Sequence, residues 1–214
     1  MDAPRLILAS ASPRRRELLL KAGYDFEVHP ADIDEDDYPP QTLPADLAQR
    51  LALLKAQALV PRFPNDVILA ADTVVAFGDI PLGKPTDAED AVKILELLSG
   101  TTHVVITGVT VLRPATNYSI STRVMSAVRM RPWSQKEIHR YVATGEWQGK
   151  AGGYGIQDDR PDPFVTRLAG SHSNIVGLPM EATAELLSSA GIMPVDGGQK
   201  SGFVIPVRDE AVAI

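Results

Sequence analysis

Hydrophobic positions along this chain fall into short dense runs alternating with stretches of helical period. Leu6-Ile7-Leu8-Ala9 is too short for a helix and predicts a buried strand. It gives way at Ser12-Pro13 to a helix start, with Ser12 as N-cap and Pro13 in the first helical position, where its missing N–H costs nothing. "YDFEVHP" predicts a strand edge running into the acidic loop "ADIDEDDYPP". Leu47, Leu51, Leu54 and Ala58 recur at helical spacing and predict a helix with Lys55 at the margin of its apolar stripe. "DVILAADTVVAF", nearly continuous and rich in Val and Ile, predicts a strand buried on both faces. The turn "GDIPLGKP" leads to a helix with Thr86 and Glu89 as its capping box and Gly100 as its stop.

"THVVITGVTVL" and "YSISTRVMSAVRMR" read as a strand pair, with Ile120, Thr122, Val124, Val128 and Met130 on one face of the second. Ser134 and Glu137 form a capping box ahead of "QKEIHRYVATG", and Pro179 opens a last helix, "PMEATAELLSSAG". The tail beyond about residue 192 is polar until "GFVIPV", which either docks as a late strand or stays loose. Strands alternating with helices, plus one hairpin, predict a single α/β domain over residues 1–214, with a mixed central sheet and flanking helices.

Composition narrows the function. The 214 residues, 44% hydrophobic and 22% charged, are those of an ordinary globular protein able to bury a sizeable core. No apolar run reaches the length of a membrane span, and the first residues are too weakly apolar for a signal peptide, so no membrane partner and a cytoplasmic location are expected. The absence of cysteine excludes disulfides and thiolate metal sites. A net charge of −6 argues against a nucleic-acid polymer as partner. It leaves room for one basic pocket holding a small anion.

Arg14, Arg15 and Arg16 supply such a pocket. They occupy the first turn of the first helix, where the helix dipole disfavours cations by roughly 0.3–1 kcal/mol. Free N–H groups and guanidinium forks together make a phosphate site, and Arg14 and Arg15 are expected to bind phosphate rather than to brace the fold. Asp72 interrupts the most apolar strand, where an uncompensated carboxylate is costly. It reads either as a strand-end aspartate accepting backbone N–H bonds or as a general base or metal ligand at the end of a central strand. The cluster Asp32, Asp34, Glu35, Asp36 and Asp37 reads as a solvated loop, one of whose carboxylates could join Asp72 on Mg²⁺ or Mn²⁺. The four histidines lack zinc-site spacing and read as structural or surface residues. Gly78, Gly83 and Lys84 imitate a phosphate-binding loop, but Pro85 stands where a hydroxyl is needed, leaving Lys84 as a point charge or a plain turn lysine. Lys55 either snorkels to solvent or points into a cleft. Gly152, Gly153 and Gly155 allow a tight turn, and Gln157 beside them has the paired donor and acceptor suited to a base edge.

In order and spacing, "LASASPRRRELL", "DIDE", "LALLKA", "AADTVV", "GKP", "ITGV", "GKAGGYGIQ" and "GSHSNIVGLP" resemble the Maf family of nucleoside triphosphate pyrophosphatases over nearly the whole chain. The resemblance implies an inosine triphosphate pyrophosphatase-like fold, two lobes around a nucleotide cleft. It also implies hydrolysis, dependent on a divalent metal, of a nucleoside triphosphate to monophosphate and pyrophosphate. It matches Asp72 to the catalytic carboxylate, Glu35 and Asp72 to the metal site, and Arg14, Arg15, Lys55 and Lys84 to phosphate handling. Arg14, Thr73 and Gln157 match positions that select the base. "YGIQ" resembles the dTTP/UTP branch rather than the 7-methyl-GTP branch, although Asp158 follows where that branch carries glycine. A homodimer is compatible with the resemblance. The alternative to an enzyme is a non-catalytic nucleotide-binding regulator of cell division.

Overall fold

A computed structural model describes residues 4–156 and 164–195. Its strands are β1 (Leu6–Leu8), β2 (Glu27–Val28), β3 (Val67–Phe77), β4 (Ile80–Leu82), β5 (Thr102–Arg113), β6 (Tyr118–Met130) and β7 (Val165–Ala169). They form a seven-stranded sheet in the order β2-β1-β3-β5-β6-β7, with β4 paired to β3. The first three of that order run parallel and the remaining pairs antiparallel, so the sheet is mixed, as expected. Helices α1 (Pro13–Lys21), α2 (Pro44–Leu59), α3 (Ala88–Leu98), α4 (Gln135–Ala143), α5 (His172–Val176) and α6 (Met180–Ser189) accompany it. No helix among the described residues is long and apolar enough to cross a membrane.

β3 organises the molecule. Side chains alternate along a strand. Ile68, Ala70, Val74 and Ala76 therefore face α2 and pack with Leu47, Ala48, Leu51, Ala56 and Leu59. Val67, Leu69 and Ala71 point the other way, into a cluster with Leu18, Leu19, Leu186 and Leu187 of α1 and α6. Asp72 shares the α2 face and Thr73 the opposite one. On one edge β3 pairs with β5 from Ile68 to Ala76. On its other edge β1 covers Val67–Leu69 and β4 covers Val75–Phe77. No described strand pairs with the stretch between them, which opens a slot in the sheet beside Asp72.

α2 corrects the expected stripe. Its buried residues are Pro44, Leu47, Ala48, Leu51, Ala52, Lys55, Ala56 and Leu59, whereas Leu54 is half-buried and Ala58 exposed. The reason is a close approach to the sheet. A Cβ on Gly108, the β5 partner of Asp72, would lie 2.2 Å from the Ala48 carbonyl oxygen. Helix and sheet meet that closely only through small residues, so alanines displace Leu54 from the contact and Lys55 lies within the buried face, not at its margin.

Three smaller expectations also change. The turn after β3 contains β4, so β3 too ends in a hairpin. α3 is capped by Asp87, whose side chain accepts from the Asp90 N–H, while Asp90 accepts from Thr86 N. Glu89, given to a box with Thr86, instead pairs with Lys93 at 2.8 Å one turn on. β7 and α5 were not foreseen. The Ser134–Glu137 box is present, and Ser12 stands at the N-cap of α1 although its hydroxyl makes no cap bond. Val195 N–H donates to the Gly23 carbonyl at 2.8 Å, and "GFVIPV" lies outside the described residues.

Gly108→Ala is expected to destabilise the protein by about 1–3 kcal/mol or more, because backbone rather than a flexible side chain blocks the new methyl. Denaturant melts check the loss. The same displacement of α2 is expected to carry Lys55 away from Asp72 and lower activity.

Candidate active site

Four charged side chains form a continuous row beside the slot. Lys55 Nζ, from α2, lies 2.5 Å from Asp72 Oδ1 and 2.8 Å from Glu35 Oε1. Lys84 Nζ, from the loop after β4, lies 3.2 Å from Glu35 Oε2. The side chains of Lys55 and Asp72 are nearly sealed, at 9% and 8% exposure, whereas Lys84 is 53% exposed. Isolated ions at such depth would be costly, and mutual pairing offsets that cost. Burial pushes the Glu35 carboxyl up, but Lys55 and Lys84 outweigh it and hold it below the usual carboxylate range. The acidic loop is therefore only in part a solvated one, since Glu35 is turned in to the row.

The row lines a cleft of about 440 Å³. Arg14, Arg15 and Thr73 line it too, so every expected site residue within the described stretch reaches one cavity. Gln157 and Asp158 lie outside the described residues. Arg15 donates from Nε to the Gly177 carbonyl at 2.8 Å, from Nη1 to Ser10 Oγ at 3.0 Å and from Nη2 to Thr73 Oγ1 at 3.1 Å. These bonds tie α1 to β3 and to the end of α5, so Arg15 braces the fold as well as facing the cleft, against the expectation that it would not. Burial, helped by Arg14, lowers its pKa against the opposing pull of Asp72 and Glu35. Arg14 reaches the far wall, where its Nη2 donates to the Gly149 carbonyl at 3.4 Å.

Ser10 and Lys150 of the cleft lining, and the polar residues that support it from behind, were not singled out in the sequence. Ser10, buried, accepts from Arg15 and from the Ser12 N–H. Thr107 bonds Thr73 across the β3–β5 pair at 3.0 Å and donates to the Asn174 carbonyl at 3.1 Å. Asn174 in turn donates to the Val105 carbonyl and to Ser126, and Ser171 caps α5. These polar links hold Gly177 in place, and the serines of "GSHSN" were the signal for them. Lys150, beside the glycines of "GKAGG", also lines the cleft.

The profile of the Maf-like protein family matches residues 5–190. The chain belongs to the Maf family. A protein of Anaeromyxobacter dehalogenans named dTTP/UTP pyrophosphatase is 48% identical over 191 residues, 88% of this chain and 95% of that protein. Proteins of the same name from Caulobacter vibrioides and Cupriavidus metallidurans are 46% and 48% identical, covering 89% and 87% of this chain and 98% and 97% of their own.

The row also tests whether this Maf chain fits a divalent metal. Among the described residues no three Asp, Glu, His or Cys are placed to cage an ion. Glu35 and Asp72 do present two hard carboxylates to one cleft, 2.8 and 2.5 Å from the same ammonium. Mg²⁺ commonly takes one or two carboxylates and completes its shell with substrate phosphate oxygens and water. The pair fits that arrangement.

One wall of the cleft rests on a buried histidine. Tyr154 lines the cleft, and its hydroxyl lies 2.5 Å from His103 Nε2. His103 is 1% exposed, and burial pushes its imidazole down to about 4. Burial raises the Tyr154 phenol. An unfolded imidazole titrates near 6.5, so between about pH 6.5 and 4 the unfolded chain binds more protons than the folded one. The stability tied to neutral His103 is thus fully present above 6.5 and lost as pH falls through 4, up to ~3 kcal/mol in all. Thermal melts from pH 7.5 to 4.5 are expected to fall steeply for the native protein and more gently for His103→Gln, which has nothing to titrate.

Proposed function

We propose that this chain hydrolyses the α–β anhydride of nucleoside triphosphates, releasing a nucleoside monophosphate and pyrophosphate, with dTTP and UTP preferred. The observation that carries the reading is the Asp72–Lys55–Glu35–Lys84 row, set in a sheet slot facing the arginine-bearing first turn of α1. The names of the relatives, dTTP/UTP pyrophosphatases, support the substrate class. A cytoplasmic location suits an enzyme that acts on free nucleotides.

The chemistry asks for a base, a cradle for a polyanion and stabilisation of charge at phosphorus. Lys55 fixes Asp72 through Oδ1, leaving Oδ2 to orient a water molecule and accept its proton. The water oxygen bonds to the α-phosphorus as the bond to the bridging oxygen breaks, and the electron pair leaves with pyrophosphate. Arg14, Arg15, Lys84 and the amides of the first turn of α1 bind the phosphates and stabilise the growing negative charge. Mg²⁺ or Mn²⁺ on Glu35 and Asp72 would add Lewis-acid polarisation of the phosphate oxygens. Asp72→Asn keeps the shape but removes the base, so kcat is expected to fall by roughly 10²–10⁴, and the melting temperature to fall as well, because buried Lys55 is left with Glu35 as its carboxylate partner. A pyrophosphate-release assay checks this, and a folded variant with near-native turnover refutes the assignment.

Base choice rests on the glycine loop and its neighbour Gln157. Thymine and uracil present one ring N–H between two carbonyls, and an amide offers a matching donor and acceptor side by side. Cytosine replaces one carbonyl with an amino donor and leaves part of such a site unpaired, a mismatch that can cost several powers of ten. Among common triphosphates and 7-methyl-GTP, dTTP and UTP are expected to give the highest kcat/KM, and Gln157→Ala to flatten that ranking more than it lowers kcat. A best rate on 7-methyl-GTP overturns the base assignment and leaves the reaction type standing.

A further inference from the structure

Lys150 is the cleft cation to which the mechanism gives no task. It precedes the turn Ala151–Gly153, in which Gly152 and Gly153 hold φ values of +69° and +70°. A Cβ on Gly152 would lie 3.0 Å from Val75 Cγ2, and one on Gly153 3.0 Å from Pro85 Cγ. Gly152 N–H also donates to the Gly83 carbonyl at 3.0 Å. The loop is thereby clamped between β3 and the segment that carries Lys84.

Gly155 has a different reason to be glycine. Its φ lies outside the left-handed region, so the backbone alone would accept a side chain. A Cβ there would fall 2.7 Å from Lys150 Nζ and 3.2 Å from Lys150 Cε. The missing side chain is the channel along which Lys150 runs, and both residues line the cleft. Against the same loop, Arg14 of α1 holds the Gly149 carbonyl. The loop that carries Lys150 thus meets Arg14 at Gly149 and the Lys84 segment at Gly152.

We propose that Lys150 binds the triphosphate chain of the substrate and completes, with Arg14 and Lys84, a cationic collar at the mouth of the cleft. The proposal rests on the nucleotide reading above. An ammonium is a compact charge with three donors and no acceptor. It can accept nothing from the ring N–H that marks uracil and thymine, whereas the non-bridging oxygens of a triphosphate all accept from it.

The test uses the full chain and inorganic triphosphate with Mg²⁺, a probe without a base, titrated by calorimetry. Lys150→Met is expected to bind it about tenfold more weakly than the native protein, and Lys150→Arg to recover most of the loss. KM for UTP, dTTP and CTP rises by a common factor, with kcat within about threefold of native. Gly155→Ala pushes the ammonium out of its channel and gives a smaller loss in the same direction, which keeps the idea testable if Lys150→Met does not fold. Unchanged affinity for inorganic triphosphate in all three variants overturns the proposal, as does a loss confined to UTP and dTTP, which would make Lys150 a reader of the base. A native protein that binds inorganic triphosphate through Lys150 but hydrolyses no nucleotide overturns the proposed function and leaves the collar standing.

Discussion

The ammonium of Lys55, held between Asp72 and Glu35, ties the fold to its chemistry. Three separate parts of the chain converge on it: α2, β3 and the loop before α2. A buried cation or carboxylate costs several kcal/mol unless it is paired, and removing one member of a buried pair costs about 3–5 kcal/mol because the other is stranded. Each group is thus the condition for burying the other. The convergence depends on Gly108, since any side chain there would hold α2 off the sheet. A residue with no functional group of its own therefore sets the distance between a cation and its two acids.

The sheet gap explains why adjacent residues do different work. Asp72 and Thr73 are neighbours on β3 but project to opposite faces, one to α2 and Lys55, the other to Arg15 and Thr107. In a continuous sheet those faces would be separate surfaces. Because β1 ends beside Leu69 and β4 comes no nearer than Val75, both faces open at the edge into one cavity. The slot is set by strand length: β1 has three residues and β3 has eleven, and β4 restores pairing only at the far end.

Much of this was legible in the sequence because the strong signals are local. The alternation of runs and helical stretches located β3, β5, β6 and most helices, and a lone carboxylate in β3 drew attention to Asp72. Lys55 was expected at the margin of the apolar stripe rather than within the buried face because counting leucines ignores how close a helix lies to its sheet, which alanines and Gly108 decide here. α5 escaped because its five residues carry too little periodicity, and its place is set by bonds from Asn174 and Thr107 that join distant positions. The structural burden on Arg15 was hidden for the same reason: its acceptors, Ser10, Thr73 and Gly177, lie far apart in sequence. The assignment of Glu35 came from family resemblance, since nothing local separates it from the other acids of its loop.

Exposure is graded along the row, and the grading decides which contacts can change when an anion enters. An exposed ion pair is worth about 0–1 kcal/mol, and Lys84 with Glu35 is the more exposed of the pairs. Separating them costs little, so Lys84 can turn to a phosphate and release a Glu35 oxygen to a cation. Lys55 and Asp72 are sealed, and their separation would strand two charges out of water. That resistance to separation is what the proposed base and its anchor need if catalysis relies on groups arranged before the substrate arrives. The −6 charge of the chain is no obstacle to such a site. Beyond a Debye length of about 8 Å, exposed surface charges are largely screened, and the field in the cleft is set by its own lining, in which Arg14, Arg15, Lys55, Lys84 and Lys150 outnumber Glu35 and Asp72.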